Sequence, residues 1–540
     1  MAQQRFGWAR RVAALAMVSV LVAAGCTRGT DGPEGEETAP AQKSKWTPGM
    51  LHIKEDGTPS PGGELTFGGL SEPRSLDPAM NIMSGLTGGM EMAAIFDVLM
   101  RWDVESGELV PQLAEGLEHN DDHTEWTLKL REDVKFSNGK PLNAEAVIWS
   151  LERYMKMPTD EARMWQGKVA STEAVDERTV KFTLNDPWPT FGYMLTTAPG
   201  MIVAEGSDGA TPEEFKPIGA GPYVLERHAP GEEIVLTARD DYWRGEVNIK
   251  KLRAVFLGAP EATSESFEGG NIKLAALNDP VLADKYIDSD TQMFLNMVPL
   301  GRVAIINATE GRPGEDVRVR RAMALAVDPT VIQDRAFGGS GYASDQIFPE
   351  ISGWHSGVEG YGHDPEEAKK LLEEAKADGF DGKVSYTFPN TPSAREQAMA
   401  IKAQLDAVGF ETELDPLRGT PELIKKVLID RDYDLGQSGM SWREAEPWAR
   451  MAAVGHSTGN PSGTYTSPEM DGLIDEFGRE ADHDKKVEIA GKIQEQWNQD
   501  VPALIFAPAA DYVIWSDDVR GIKSHINVMV LFDEAWIEKG

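Results

Sequence analysis

The chain has 540 residues, with 88 acidic against 53 basic side chains and a formal net charge of -35 at pH 7. That balance repels phosphate backbones and anionic lipid heads, which excludes nucleic-acid binding and electrostatic membrane docking. A composition 41% hydrophobic and 26% charged is that of a globular protein, and a single cysteine excludes any disulfide within the chain.

At the start, Arg5, Arg10 and Arg11 precede an apolar run from Val12 to Ala24, followed by Gly25 and Cys26. A charged opening, about a dozen apolar residues and a small-residue exit predict a secretory leader, too short to span a bilayer. The end of this leader resembles the lipobox of bacterial lipoproteins, with Ala23 in the first position, where leucine is most frequent. The resemblance implies cleavage before Cys26 and lipid on that thiol, with residues 1–25 a signal peptide. Anchoring then comes from acyl chains alone, on the extracellular or periplasmic face of the cell membrane. Residues 26–62, rich in Gly, Pro, Glu, Thr and Ser, are expected to be a disordered tether with a reach on the order of 30 Å.

From Gly63 onward strands and helices alternate. Glu64 to Gly68 reads as a strand, and Trp126, Leu128 and Leu130 alternate with Thr127 and Lys129 in the period of a half-buried strand. Asn138 and Gly139 mark a turn after it. Asn143 caps a helix through Val147, Trp149 and Leu151. In Gly219 to Tyr223, glycines and Pro222 shape the backbone ahead of a strand that ends at a turn near Gly231. Asp328 with Pro329, and Asp364 with Pro365 and Glu367, place N-caps and first-turn prolines before two more helices. Mixed content of this kind predicts α/β layers, and nearly 480 residues after the tether predict more than one lobe.

The order of segments says more than any single motif. Ser75 to Pro78, Pro111 to Gly116, Glu125 to Gly139, Gly219 to Tyr223, Val317 to Asp328, Asp364 to Leu372 and Pro461 to Leu473 follow one another at characteristic intervals. The series resembles the peptide, dipeptide and nickel family (family 5) of ABC-transporter solute-binding lipoproteins, from about Gly63 to Trp536. The resemblance implies a periplasmic-binding-protein-like fold, type II, cluster C. Two α/β lobes close over a ligand, and a further lobe is inserted in the first. The expected division is 63–107, 221–306 and 515–540 for lobe I, 108–220 for the inserted lobe II, and 307–514 for lobe III. The implied protein is a monomer without cofactor or bound metal that is not an enzyme. Its partners are a peptide or small-molecule ligand, a permease and that permease's ATPase subunits.

In the peptide binders of that family, a lobe III loop runs Gly, aromatic, small, any residue, Asp, then three positions later an acid followed by Pro, and the aspartate takes the ligand's α-amine. The corresponding stretch is Gly439, Met440, Ser441, Trp442, Arg443, Glu444, Ala445, Glu446, Pro447. Arg443 stands at the aspartate's place, so the amine clamp is missing or has moved to Glu444. Arg443 is expected either to favour a carboxylate, phosphate or carbonyl-rich ligand face, or to pair with Glu444 or Glu446 at the rim. Trp442 and Trp448 are candidates for an apolar wall. Asn81, Met83 and Ser84, after the Asp77–Pro78 turn, are weaker candidates for the opposite wall; for Met83 a packed core residue is the competing reading.

Other chemistry has thinner support. Gly455 to Gly459 spell G-x-S-x-G around Ser457, but the flanking residues read as helix before and loop after, not the strand–turn–helix of a hydrolase elbow. Nine histidines, His228, His355, His363 and His456 among them, show no metal-ligand spacing, and no Walker loop is present. The function expected is capture of an oligopeptide or related small solute for an ABC importer. The alternatives are a non-peptide solute (oligosaccharide, anionic compound or nickel complex), a secreted serine hydrolase at Ser457, or a lipid-tethered interaction protein.

Overall fold

The computed structural model describes residues 44–209, 214–459 and 464–539, and residues 44 onward form one compact unit. Cys26, the expected lipidation site, and the expected leader lie outside the described residues. The framework is an 11-stranded mixed sheet. Two long antiparallel strands, Gln292–Ile306 and Ala503–Trp515, run through its middle. Both are almost continuously apolar, because both faces are covered.

These two strands change partners along their length. Tyr512 to Trp515 pair with Leu274–Leu277, which leads to Glu64–Gly69 and Lys251–Phe256, while Val303 to Ile306 pair with Leu435–Ser438, which leads to Lys383–Pro389 and Glu411–Leu417. The change falls where the register slips, between Val298 and Val303. The expected boundary at 306/307 falls at the end of the first of these strands and that at 514/515 one residue before the end of the second. Continuous backbone pairing leaves no break in composition at the crossing.

A separate four-stranded antiparallel sheet, in the order Ala114–His119, Glu125–Leu130, Thr179–Leu184, Val169–Asp176, carries the helices Ala144–Tyr154 and Asp160–Lys168. In the alternating strand Trp126, Leu128 and Leu130 are buried, and the Asn143 side chain accepts from the Ala146 amide as the cap. Asp328 and Asp364 cap Pro329–Phe337 and Pro365–Ala377 in the same way. A Cβ on Gly219 or Gly221 would lie 2.2 or 2.4 Å from carbonyl oxygens of the helix Gly89–Phe96, so close backbone approach requires glycine at both.

Residues 44–62 depart from the disordered tether expected of them. Trp46 is 4% exposed within a core of Leu277, Tyr286, Met293 and Tyr512, and Gly49–Leu51 adds a strand against Met293 to Leu295. A large aromatic and a short apolar run outweigh the Gly- and Pro-rich surroundings, because an indole buries enough area to order the chain around it.

Candidate functional site

The loop Gly439–Pro447 leaves strand Leu435–Ser438 and docks on the crossing. Met440 N–H donates to Leu300 O at 2.9 Å and Trp442 N–H to Pro299 O at 3.1 Å. Leu300 and Ser441 both adopt left-handed backbone angles, φ +52° and +51°, conformations disfavoured for side chains with a Cβ and held here by the surrounding bonds. A Cβ on Gly439 would meet Gly301 O at 2.8 Å, so the glycine permits this close approach.

Beside the loop lies a cavity of about 580 Å³ lined by residues from all three of the expected lobes. Trp102, Phe294, Asn296 and Asn527 come from the stretches expected as lobe I, Leu109 and Tyr193 from that expected as the insertion, and Trp354, Glu444 and Glu446 from that expected as lobe III. Burial lowers His525 to about 3; it accepts from Trp102 N–H through Nδ1 and lies 2.8 Å from Thr196 O through Nε2, so it is a neutral wall residue. Glu444 lines the cavity with its carboxylate held by Gly353 N–H at 2.7 Å and by Ser352 Oγ, and burial pushes it up to about 7. Glu446, 4% exposed, accepts from Thr190 Oγ1 at 3.2 Å and from Ala449 N–H; burial raises it, and the Lys486 ammonium opposes the rise.

Arg443 pairs with neither Glu444 nor Glu446, whose carboxylates are taken by these other donors. The rim ion pair expected as one reading of Arg443 is absent among the described residues. Its half-buried guanidinium acts electrostatically on Tyr193, Arg450 and Asp511. Neither tryptophan lines the large cavity, and Trp442 lines a smaller one behind the loop. Trp442 is fully buried against Phe348 and Trp497, and Trp448, 5% exposed, meets Trp188 edge-on at 5.6 Å. Loop curvature turns both rings inward, where they fill core volume. Met440 borders a smaller cavity of about 140 Å³ behind the loop.

On the lobe I side, Asn81 closes its own turn: its amide donates to Ser75 O and Asp77 O and its carbonyl accepts from Arg74 N–H. Met83 is a buried core residue whose carbonyl accepts from Asn527. Neither lines the large cavity; Asn527, bonded behind to Met83, takes that place. The cavity residues missed include Asn296 and Trp354.

The remaining candidates are placed elsewhere. Ser457 follows a helical turn, Met451–Gly455, and its amide donates to Asp471. His228 contacts Glu72, His355 the Phe348 carbonyl and His456 lies near Asp471, each on its own partner. Among the described residues no group of three or more His, Cys, Asp or Glu is placed to hold a metal, and no helix is long and apolar enough to cross a membrane.

Comparison with known proteins agrees with this architecture. The chain is 25% identical over 493 residues to the dipeptide-binding protein of Escherichia coli K12, covering 85% of this chain and 91% of that one. It is 25% identical over 488 residues to heme-binding protein A of Haemophilus influenzae, covering 83% and 88%. The crystal structure of a dipeptide-binding protein from Pseudoalteromonas sp. SM9913 with Met-Leu superposes with a TM-score of 0.73 at 19% identity, over 88% of this chain and all of that one, a likeness of fold. The profile of the bacterial extracellular solute-binding proteins, family 5 Middle, matches residues 108–462. With more than half of its length under that profile, the chain belongs to the family 5 bacterial extracellular solute-binding proteins.

Proposed function

We propose that this protein captures a peptide or related small solute in the cavity between its lobes and presents it, unaltered, to the permease of an ABC importer. The observation that carries the reading is the cavity of about 580 Å³, walled by side chains from all three lobes, because a ligand there gains contacts from every lobe only when they are together. Peptide cargo is supported by the aromatic walls of Trp102, Tyr193 and Trp354 and by relatives that bind dipeptides.

Closure has identifiable contacts between the insertion and lobe III. Thr190 donates to Glu446, Arg450 reaches Asp160 at 3.2 Å, and Trp188 meets Trp448. A lipid on Cys26 and residues up to 43 would hold the body at the outer face of the cell membrane, with the ATPase work done by partner subunits. Ser457 lacks the strand-to-helix turn that exposes a nucleophile, which supports binding without chemistry.

A thermal-shift screen of free peptides tests the reading. A ligand at 100 times its Kd adds about 2.7 kcal/mol to stability. A flat response across di- to pentapeptides would refute peptide capture. Arg443, without a hydrogen-bond or ion-pair partner among the described residues, favours a second reading in which the cargo is a non-peptide anion; stabilisation by such anions and not by peptides would select it.

A further inference from the structure

Residues 44–51 fold as an arm on the edge of the first long strand. Gly49–Leu51 pairs antiparallel with Met293 to Leu295, and Trp46 is buried in the core of Leu277, Tyr286, Met293 and Tyr512. The arm is fastened on either side of this contact. The Lys45 ammonium lies 2.8 Å from Asp284, and Lys54 N–H donates to Gln292 Oε1 at 2.8 Å. Gln292 Nε2 in turn donates to Ser516 O, so the hold reaches the end of the second long strand.

The ladder stops at Pro48, which has no N–H to continue it. One step beyond the Gly49–Leu295 pair, the register sets Pro48 opposite Asn296. Phe294 and Asn296, two residues apart on a strand, share a face, and both line the large cavity. Thr47 and Pro48 line it as well, so the cavity has a wall from outside the three expected lobes. Ile351, from the stretch expected as lobe III, packs against the same core as Trp46 and also lines the cavity. Pro48, Phe294 and Ile351 give this part of the wall an apolar surface. Thr47 adds shape to it and no charge: its amide and its hydroxyl both donate to Ser44 O, at 3.1 and 2.7 Å, and neither proton is left for a ligand.

We propose, resting on the solute-capture reading above, that the arm is a size filter built into the cavity, in which Thr47 and Pro48 form a fixed apolar stop that sets the largest uncharged side chain the cargo can place there. A stop held by a buried indole, a strand and an ion pair does not yield to a bulkier group, because moving it would draw Trp46 out of a close-packed core. One methylene in an apolar pocket is worth roughly 10- to 200-fold in discrimination, so a few atoms at Thr47 decide which side chains enter. The cargo that fits is a peptide with a small apolar side chain at the arm.

The test is calorimetric titration of the full mature chain, and of its Thr47→Trp and Thr47→Ala variants, with alanine di- and tripeptides in which one residue is replaced in turn by Val, Leu, Phe or Trp. On the unaltered protein affinity is expected to fall roughly 10-fold or more at one step of that series. Thr47→Trp, which extends an indole into the cavity, should move the step toward alanine, and Thr47→Ala, which removes atoms, should move it toward tryptophan. A brace with no part in recognition would lower the urea midpoint or all affinities together and leave the step where it was. A step at the same place in all three proteins, or no step on the unaltered one, would overturn the filter and leave solute capture standing. The unaltered protein and Thr47→Ala give the answer even if Thr47→Trp fails to fold. Absence of binding to every peptide, by heat and by thermal shift, would overturn peptide capture, and the filter with it.

Discussion

Trp188 and Trp448 make the contact between the insertion and lobe III whose removal is most informative. Their rings are 2% and 5% exposed, meet edge-on with centroids 5.6 Å apart, and have the Lys168 ammonium 5.5 Å above the Trp448 ring. An indole buries about 200 Å², worth about 5 kcal/mol at 25 cal/mol per Å², and Trp→Ala in a packed core costs about 3–5 kcal/mol. Part of each loss belongs to packing within a lobe, so the single variants Trp188→Ala and Trp448→Ala do not isolate the contact. The double-mutant cycle does, and an edge-on aromatic pair should leave a coupling of about 0.5–1.5 kcal/mol. The assay is urea unfolding followed by circular dichroism, with ΔΔG taken from the midpoint shift, repeated with a saturating dipeptide. A coupling below about 0.3 kcal/mol in both conditions would refute the claim that this contact helps hold the lobes together. A coupling that appears only with dipeptide would assign the contact to the closed, liganded state.

Three further outcomes are expected. Trp46→Ala should cost about 3–5 kcal/mol in the same unfolding assay, because residue 46 belongs to the core and not to the tether; a cost under about 0.5 kcal/mol would return it to the tether. Gly221→Ala should cost about 1–3 kcal/mol or more, since its Cβ would press on the Ala94 carbonyl and the backbone cannot yield cheaply; an unchanged urea midpoint would contradict that packing. Burial pushes the Glu91 carboxyl up to about 7 from 4.5, so the folded protein keeps a proton that the unfolded chain releases. Stability should accordingly fall as pH rises from about 4.5 to 7, and Glu91→Gln should match the unaltered protein near pH 4 and exceed it by up to about 3 kcal/mol at pH 8. Parallel pH profiles for the two proteins would refute that assignment.

What the sequence determined by itself was local or cumulative. Asn143, Asp328 and Asp364 cap helices because an acceptor side chain reaches amides two or three residues on, and that geometry is written within one turn. The strand at Trp126 and the constrained glycines at 219 and 221 were legible for the same reason, and the order of such segments along the chain pointed to the family. Tertiary structure alone decided the direction of the loop tryptophans, the inclusion of Trp46 in the core, and the freedom of Arg443 from its acidic neighbours. It also placed Thr47 and Pro48 in the wall of the large cavity. These outcomes depend on strand register and on which distant side chains compete for the same donors and volume. A one-dimensional pattern carries neither quantity until the chain has folded back on itself.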